Sequence, residues 1–360
     1  MLRIQHIRQV VLIGLAASQL AVAAPAPAHS TFEGQTIRIA VASTSGGPLD
    51  IQARQFAPFI ARYIPGKPSV VVENRPGAGG TVAANYIYNL AKPDGQTIGL
   101  LFGVLTQGLI GGETIRFDAT KFHWLGAVST TGVLLARNDL NLSSFRDLLK
   151  PAKPLVFASL GTSSSADLQH RLFLDMIGAK YKYVAGYPGS SEVVMALSRG
   201  EASLTNLVHT QYLPRRDAIR KEGIYDAIVQ RGELAPDGTF RRNRQMPELA
   251  TALDAITALN PAALNSVDFA TYRSIAGSFA VHFSYMLPPA TPPAIVSTLR
   301  KAMSDAHNDP EARKSVSGTL NVDYDFVNGE LSQRHVEKIR EEYHSDKRIA
   351  ERLKQLMESK

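Results

Sequence analysis

The sequence predicts an α/β fold of two lobes, a clamp whose hinge is two crossing strands. Three observations predict it. β-rich runs alternate with amphipathic helical segments in both halves of the chain. Loops rich in glycine and serine follow the strands at four places. Two β-prone runs, Trp124–Asn138 and Ser274–Leu287, lie where the chain would pass from one lobe to the other and return.

Thr36–Ser43 alternates and is β-rich, and Thr44-Ser45-Gly46-Gly47-Pro48 ends it. In the helix that follows, Phe56, Phe59, Ile60, Tyr63 and Ile64 recur at helical spacing and face a core. Pro48 suits its first turn and Asp50 complements its dipole, while Pro58 predicts a kink or an early end. Ser69–Glu73 is a strand. Gly77-Ala78-Gly79-Gly80 then opens a helix over Thr81–Leu90, with Val82, Tyr86, Ile87 and Leu90 inward. Lys92-Pro93-Asp94-Gly95 is a turn into the strand Thr97–Phe102. This order implies a parallel sheet with ligands at the C-terminal ends of its strands, where both glycine loops fall. Glycines that take positive φ leave amide N–H groups unobstructed, and a helix N-terminus adds a dipole that favours an anion.

The second half repeats the alternation. Leu155–Leu160 is a strand, Gly161–Ser165 a small-residue loop, and a helix through Leu168, Leu172 and Met176 stops at Gly178. Tyr181–Gly186 is a strand and Tyr187-Pro188-Gly189-Ser190 a loop. A helix through Val193, Val194 and Leu197 then ends at Gly200. Strands follow at Ser203–Val208 and Ala227–Arg231. Thr291 is read as the N-cap of a helix with proline in its first turn, and the tail from Gly329 as charged and helical.

Arg3 and Arg8 form a basic n-region before the apolar stretch Val10–Ala23, and small-residue cleavage sites stand at Ala21-Val22-Ala23 and Ala26-Pro27-Ala28. Residues 1–28 therefore read as a signal peptide, which sends the chain to a periplasm-like compartment. The chain has no cysteine, which excludes disulfides, thiolate metal ligands and a cysteine nucleophile. The formal charge is +7, and loss of Arg3 and Arg8 leaves 37 basic against 32 acidic residues, or +5. The strongest basic cluster, Arg241-Arg242-Asn243-Arg244, lacks interleaved aromatics and reads as a solvated loop, so no nucleic-acid partner is expected.

Four blocks together resemble the Bug or TctC family, the extracytoplasmic solute receptors of tripartite tricarboxylate transporters. They are IRIAVASTSGGPLDIQAR, VVVENRPGAGG with KPDGQTIGL, GYPGSSEVVMALSRGE, and LPPATPPAIVSTLRKAMSDAHNDPEA. The second is specific and the others support it. The resemblance implies a periplasmic-binding-protein or Venus flytrap clamp without enzymatic activity or cofactor. Lobe 1 would be 29–131 and 276–360, and lobe 2 would be 132–275. It implies a monomer that holds a small carboxylate and meets large and small membrane subunits. By position Ser45, Gly46 and Gly47 match the first loop, with Asp50 orienting it. Asn74, Arg75, Gly77, Ala78, Gly79 and Gly80 match the second loop. Thr162, Ser163, Ser164, Tyr187, Gly189 and Ser190 match the contacts from lobe 2. The chain departs from the family where Ala42-Ser43 replaces the usual Pro-Phe, and within Ser203-Leu204-Thr205-Asn206, where the family carries an aspartate. A smaller, more polar first loop suits a bulkier or more hydroxylated acid.

Two other classes stand beside this one, a carboxylate-sensing binding protein outside transport and a secreted α/β hydrolase. Against the hydrolase, no Gly-x-Ser-x-Gly elbow occurs, and His170 has no spaced partner. No zinc spacing, Gly-x-Gly-x-x-Gly or Walker lysine occurs, so no catalytic or metal residue is assigned. Arg75 is the nearest cation for a carboxylate and equally an anchor for its own loop; the sequence leaves both open. Tyr187 is read as a ligand contact.

Overall fold

The computed structural model describes residues 32–162, 164–234, 239–320 and 325–358. The signal-peptide reading and Ser163 lie outside them. β1 (Thr36–Val41), β2 (Ser69–Asn74) and β3 (Thr97–Phe102) pair in parallel, with β1 in the middle. α1 (Pro48–Tyr63) and α2 (Thr81–Asn89) connect them. α3 (Val104–Ile110) leads to β4 (His123–Val128), which ends this passage through the first sheet.

Three residues on, β5 (Gly132–Arg137) belongs to a second sheet with β6 (Leu155–Ser159), β7 (Tyr181–Ala185), β8 (Leu204–Val208) and β9 (Tyr225–Gln230), in the order β7-β6-β8-β5-β9. β7, β6 and β8 run parallel, and β5 is antiparallel to β8 and β9. α4 (Ser165–Ile177) and α5 (Ser190–Arg199) join the parallel strands. α6 (His209–Tyr212) and α7 (Arg216–Glu222) lead to β9. A short ribbon, β10 (Glu233–Leu234) with β11 (Phe240–Arg241), precedes α8 (Ala252–Leu259) and α9 (Val267–Ser278). β12 (Phe283–Leu287) then returns to the first sheet between β3 and β4, antiparallel to both. α10 (Pro293–Asn308) and α11 (Pro310–Leu320) follow, and β13 (Phe326–Asn328) closes the sheet beside β4. The chain ends in α12 (Gly329–Ser345) and α13 (Lys347–Glu358).

The fold is the two-lobed α/β architecture that the sequence predicts, and four local readings are corrected. α1 runs unbroken through Pro58. That proline is exposed while Ala57, Phe59 and Ile60 beside it are buried, so the carbonyl it leaves unpaired is on the wet side. In α2 the inward stripe is Ala83, Ala84 and Ile87, whereas Val82 and Leu90 are exposed. Ile87 packs over Gly99, where a Cβ would come within 2.7 Å of it. Ser274–Ser278 is the end of α9 rather than strand, because Ser266 caps that helix and Tyr272 and Ile275 bury in the second core. The return passage is Phe279–His282 and then β12. Pro292, not Thr291, is the N-cap of α10, and the Thr291 hydroxyl donates to the Pro288 carbonyl at 2.8 Å.

The tail is expected with lobe 1, yet it spans both cores. In α12 Val336 and Ile339 bury in the core of the first sheet, and Tyr343 buries in that of the second. Ile349, Leu353 and Leu356 of α13 all join the second core. Arg352 fastens this helix to Asp268 of α9 at 2.5 Å and to Asp175 of α4 at 3.1 Å.

Candidate ligand-binding site

A cavity of about 380 Å³ lies where the C-terminal ends of β1, β3, β6 and β8 converge. This is where loops after parallel strands collect in both sheets.

The first loop is tied from below. The Asp50 carboxylate, 2 % exposed, accepts from the Gly46 amide at 2.8 Å, from Arg54 Nε at 2.9 Å and from Asn74 Nδ2 at 2.9 Å. Burial opposes its ionisation, but these donors hold its pKa below the ordinary value. Asn74 also donates to the Ser43 carbonyl at 3.0 Å, which binds the first loop to the second. Gly47 lines the cavity, while Ser45, Gly46, Asn74 and Arg75 do not. The Gly46 amide is committed to Asp50, and that of Gly47 to the Thr44 carbonyl. The Arg75 guanidinium pairs with Glu73 at 2.6 Å and lies 3.7 Å over the Tyr86 ring, an anchor rather than a wall group.

Gly77, Ala78, Gly79 and Gly80 all line the cavity and all have positive φ, from 46° at Ala78 to 126° at Gly77. This left-handed run turns the chain into α2. The Gly80 amide closes on the Gly77 carbonyl, but the amides of Gly77, Ala78 and Gly79 have no acceptor among the described residues. Gln107, 1 % exposed, donates to the Gly79 carbonyl at 2.7 Å and accepts from the Thr81 hydroxyl at 3.2 Å. Sequence reading missed this strut; a glutamine on an apolar helix carries no signal of its role.

From the second lobe Ser164, Tyr187, Gly189 and Ser190 line the cavity, and Thr162 does not. Ser164 caps α4 by accepting from the Asp167 amide. The lobes approach closely beside the cavity. A Cβ on Gly189 would lie 3.2 Å from the Thr44 hydroxyl, and one on Gly103 3.0 Å from that of Ser165.

Among the wall residues that the sequence did not assign to the site are Ser159, Asp167, Asn206 and His282. Asp167, 1 % exposed, accepts from the Ser159 hydroxyl at 2.6 Å and from Asn206 Nδ2. Burial pushes its pKa up against those bonds. His282 stands on the return passage with Nδ1 2.7 Å from the Thr130 hydroxyl of the outward passage. Burial, then the charges of Arg231 and His209, hold its pKa well below the usual histidine value, so the ring is neutral near pH 7. No lysine or arginine lines the cavity among the described residues. The wall therefore offers backbone amides, hydroxyls, a neutral imidazole and the buried carboxyl of Asp167.

The family model described as tripartite tricarboxylate transporter family receptor matches residues 53–355. The chain belongs to that family. It is thus a solute-binding receptor of the Bug and TctC type. A UPF0065 protein of Bordetella pertussis is 26 % identical over 304 residues, spanning 82 % of this chain and 84 % of the relative. The periplasmic binding protein BugD has the same fold, with a TM-score of 0.66 at 19 % identity over 86 % of this chain and 95 % of its own. So has the R. palustris protein Rpa4515 with adipate, with a TM-score of 0.65 at 20 % identity over 88 % of this chain and 97 % of its own. No described helix of the receptor is long and apolar enough to cross a membrane.

Proposed function

We propose that this receptor is exported by a signal peptide, residues 1–28, and captures a small carboxylate in the periplasm. We read it as a monomer that delivers the acid to the large and small membrane subunits of a tripartite transporter. The supporting observation is the run of amides at Gly77, Ala78 and Gly79, without an acceptor among the described residues, in a cavity that no described lysine or arginine lines. Such amides at the entry to α2 stabilise a carboxylate best when water is excluded. Lobe 1, 29–131 with 276–360, and lobe 2, 132–275, would close on the acid, with α13 seated on lobe 2. The neighbour that carries adipate accords with a carboxylate ligand.

Titration calorimetry against mono-, di- and tricarboxylates is the test. At least one should bind at micromolar affinity or tighter and be recovered unchanged from denatured protein. Chemical conversion of the bound acid would overturn the receptor reading for this chain.

A further inference from the structure

Two lobes that close on a solute need a hinge, and the inference here rests on that reading. A second cavity, of about 270 Å³, shares no wall residue with the ligand cavity. The strand orders put the two cavities on opposite sides of the passages. In the first sheet β12 and β4 stand between β3, whose Phe102 lines the ligand cavity, and β13, which Asp325 of the second cavity precedes. In the second sheet β5 stands between β8, on the ligand side, and β9, which leads at once to Gly232 and Glu233 of the second cavity. Thr130 of the outward passage and Phe279 of the return passage line it too. A rotation about these passages that parts the lobes on one side draws them together on the other.

The walls of this rear cavity carry opposite charges. Asp325 belongs to lobe 1. Its carbonyl accepts from the Ser129 amide at 3.1 Å, and β13 begins at the next residue, so it moves with the first sheet. Arg244 belongs to lobe 2. The Asn243 amide beside it donates to Gln230 Oε1 at 2.8 Å, and Gln230 donates to the Met246 and Leu249 carbonyls, so this loop rides on β9. Asp325 and Arg244 are both exposed, and neither has an ion pair among the described residues. Arg241 shares the wall but has a partner already, and Glu233 accepts from Asn243 Nδ2 at 2.7 Å. On the ligand side, meanwhile, the lobes approach closely at Gly189 with Thr44 and at Gly103 with Ser165. The two charges therefore stand apart in a form whose ligand side is drawn in.

We infer that Arg244 and Asp325 are the two halves of a latch behind the hinge that favours the open receptor. As the ligand side parts, the rear cavity narrows and the guanidinium meets the carboxylate. A solute must break that pair to close the lobes, which lowers its apparent affinity and favours its release.

The test needs no solute. The chain has no cysteine, so spin labels at Val82→Cys on α2 and Met195→Cys on α5 are unique. Both positions are exposed, and both helices begin at the ligand cavity. Label-to-label distances in the unliganded protein should fall into a long, open population and a short, closed one. Asp325→Asn and Arg244→Gln should each lower the open-to-closed ratio about two- to fivefold, the scale of an exposed ion pair. The double variant should go no further than either single one. In the protein without either charge substitution, salt at about 1 M should lower the ratio in the same sense, a measurement that stands even where a variant does not fold. A ratio that ignores either substitution in folded protein, effects that multiply in the double variant, or indifference to salt overturns the latch and leaves the moving lobes standing. A single distance in every variant and at both salt levels overturns the latch and the hinge reading together.

Discussion

Asp167 and His282 share one wall, and their ionisations pull stability in opposite directions. Burial raises the Asp167 pKa, so its contribution is full below the unfolded value of 3.8 and is lost as pH rises through the folded value. Asp167→Asn should therefore melt higher than wild type at pH 8, with the gain shrinking as pH falls toward 4. An equal melting temperature across that range would contradict the buried carboxylate. For His282 the pKa is depressed, so its contribution is present above 6.5 and lost as pH falls through the folded value. His170 and His307, each lowered to about 3 chiefly by burial, act in the same sense. Little of this was legible in the sequence. An aspartate in the first turn of a helix reads as a dipole partner, and only the meeting of β6 with β8 puts Ser159 and Asn206 against it. Arg75 was undecided for a similar reason. Its partner Tyr86 lies across a turn and on a helix whose rotational phase the pattern did not fix.

The second glycine loop shows which elements a sequence does announce. A run of positive φ demands glycine, and the demand is written at Gly77, Gly79 and Gly80. The strands were legible because a half-buried or buried sheet imposes β-branched runs. The α2 face and the N-terminus of α10 were not, since alanine stripes and consecutive prolines satisfy more than one phase or cap. Gly79→Val should weaken carboxylate binding at least 100-fold in a folded protein, because a β-branched residue at φ 62° forces the loop to change. Gln107→Ala leaves the Gly79 carbonyl and Thr81 hydroxyl unpaired and should cost about 1–3 kcal/mol. The first is read by calorimetry and the second by urea unfolding. Wild-type affinity in folded Gly79→Val would remove this loop from the site.

At the scale of the molecule, ligand is expected to close the lobes about the passages at Ser129–Thr131 and Phe279–His282. Small-angle scattering should then give a smaller radius of gyration at saturating acid, and an unchanged radius would speak for a rigid pocket. The chain joins the lobes a third time, through α12 and α13, and this passage ends in Arg352 held by Asp268 and Asp175. If the lobes open and close, a third tether is expected to set a limit stop on opening. Apparent affinity equals intrinsic affinity multiplied by the fraction of molecules in the competent form, so whatever shortens or slackens the tether retunes binding from a distance. Arg352→Ala should change carboxylate affinity by a few fold and widen the unliganded scattering envelope while every group on the cavity wall stays in place. Evolution could thus adjust how eagerly such a receptor loads and unloads by editing its tail, with no change to the residues that read the solute.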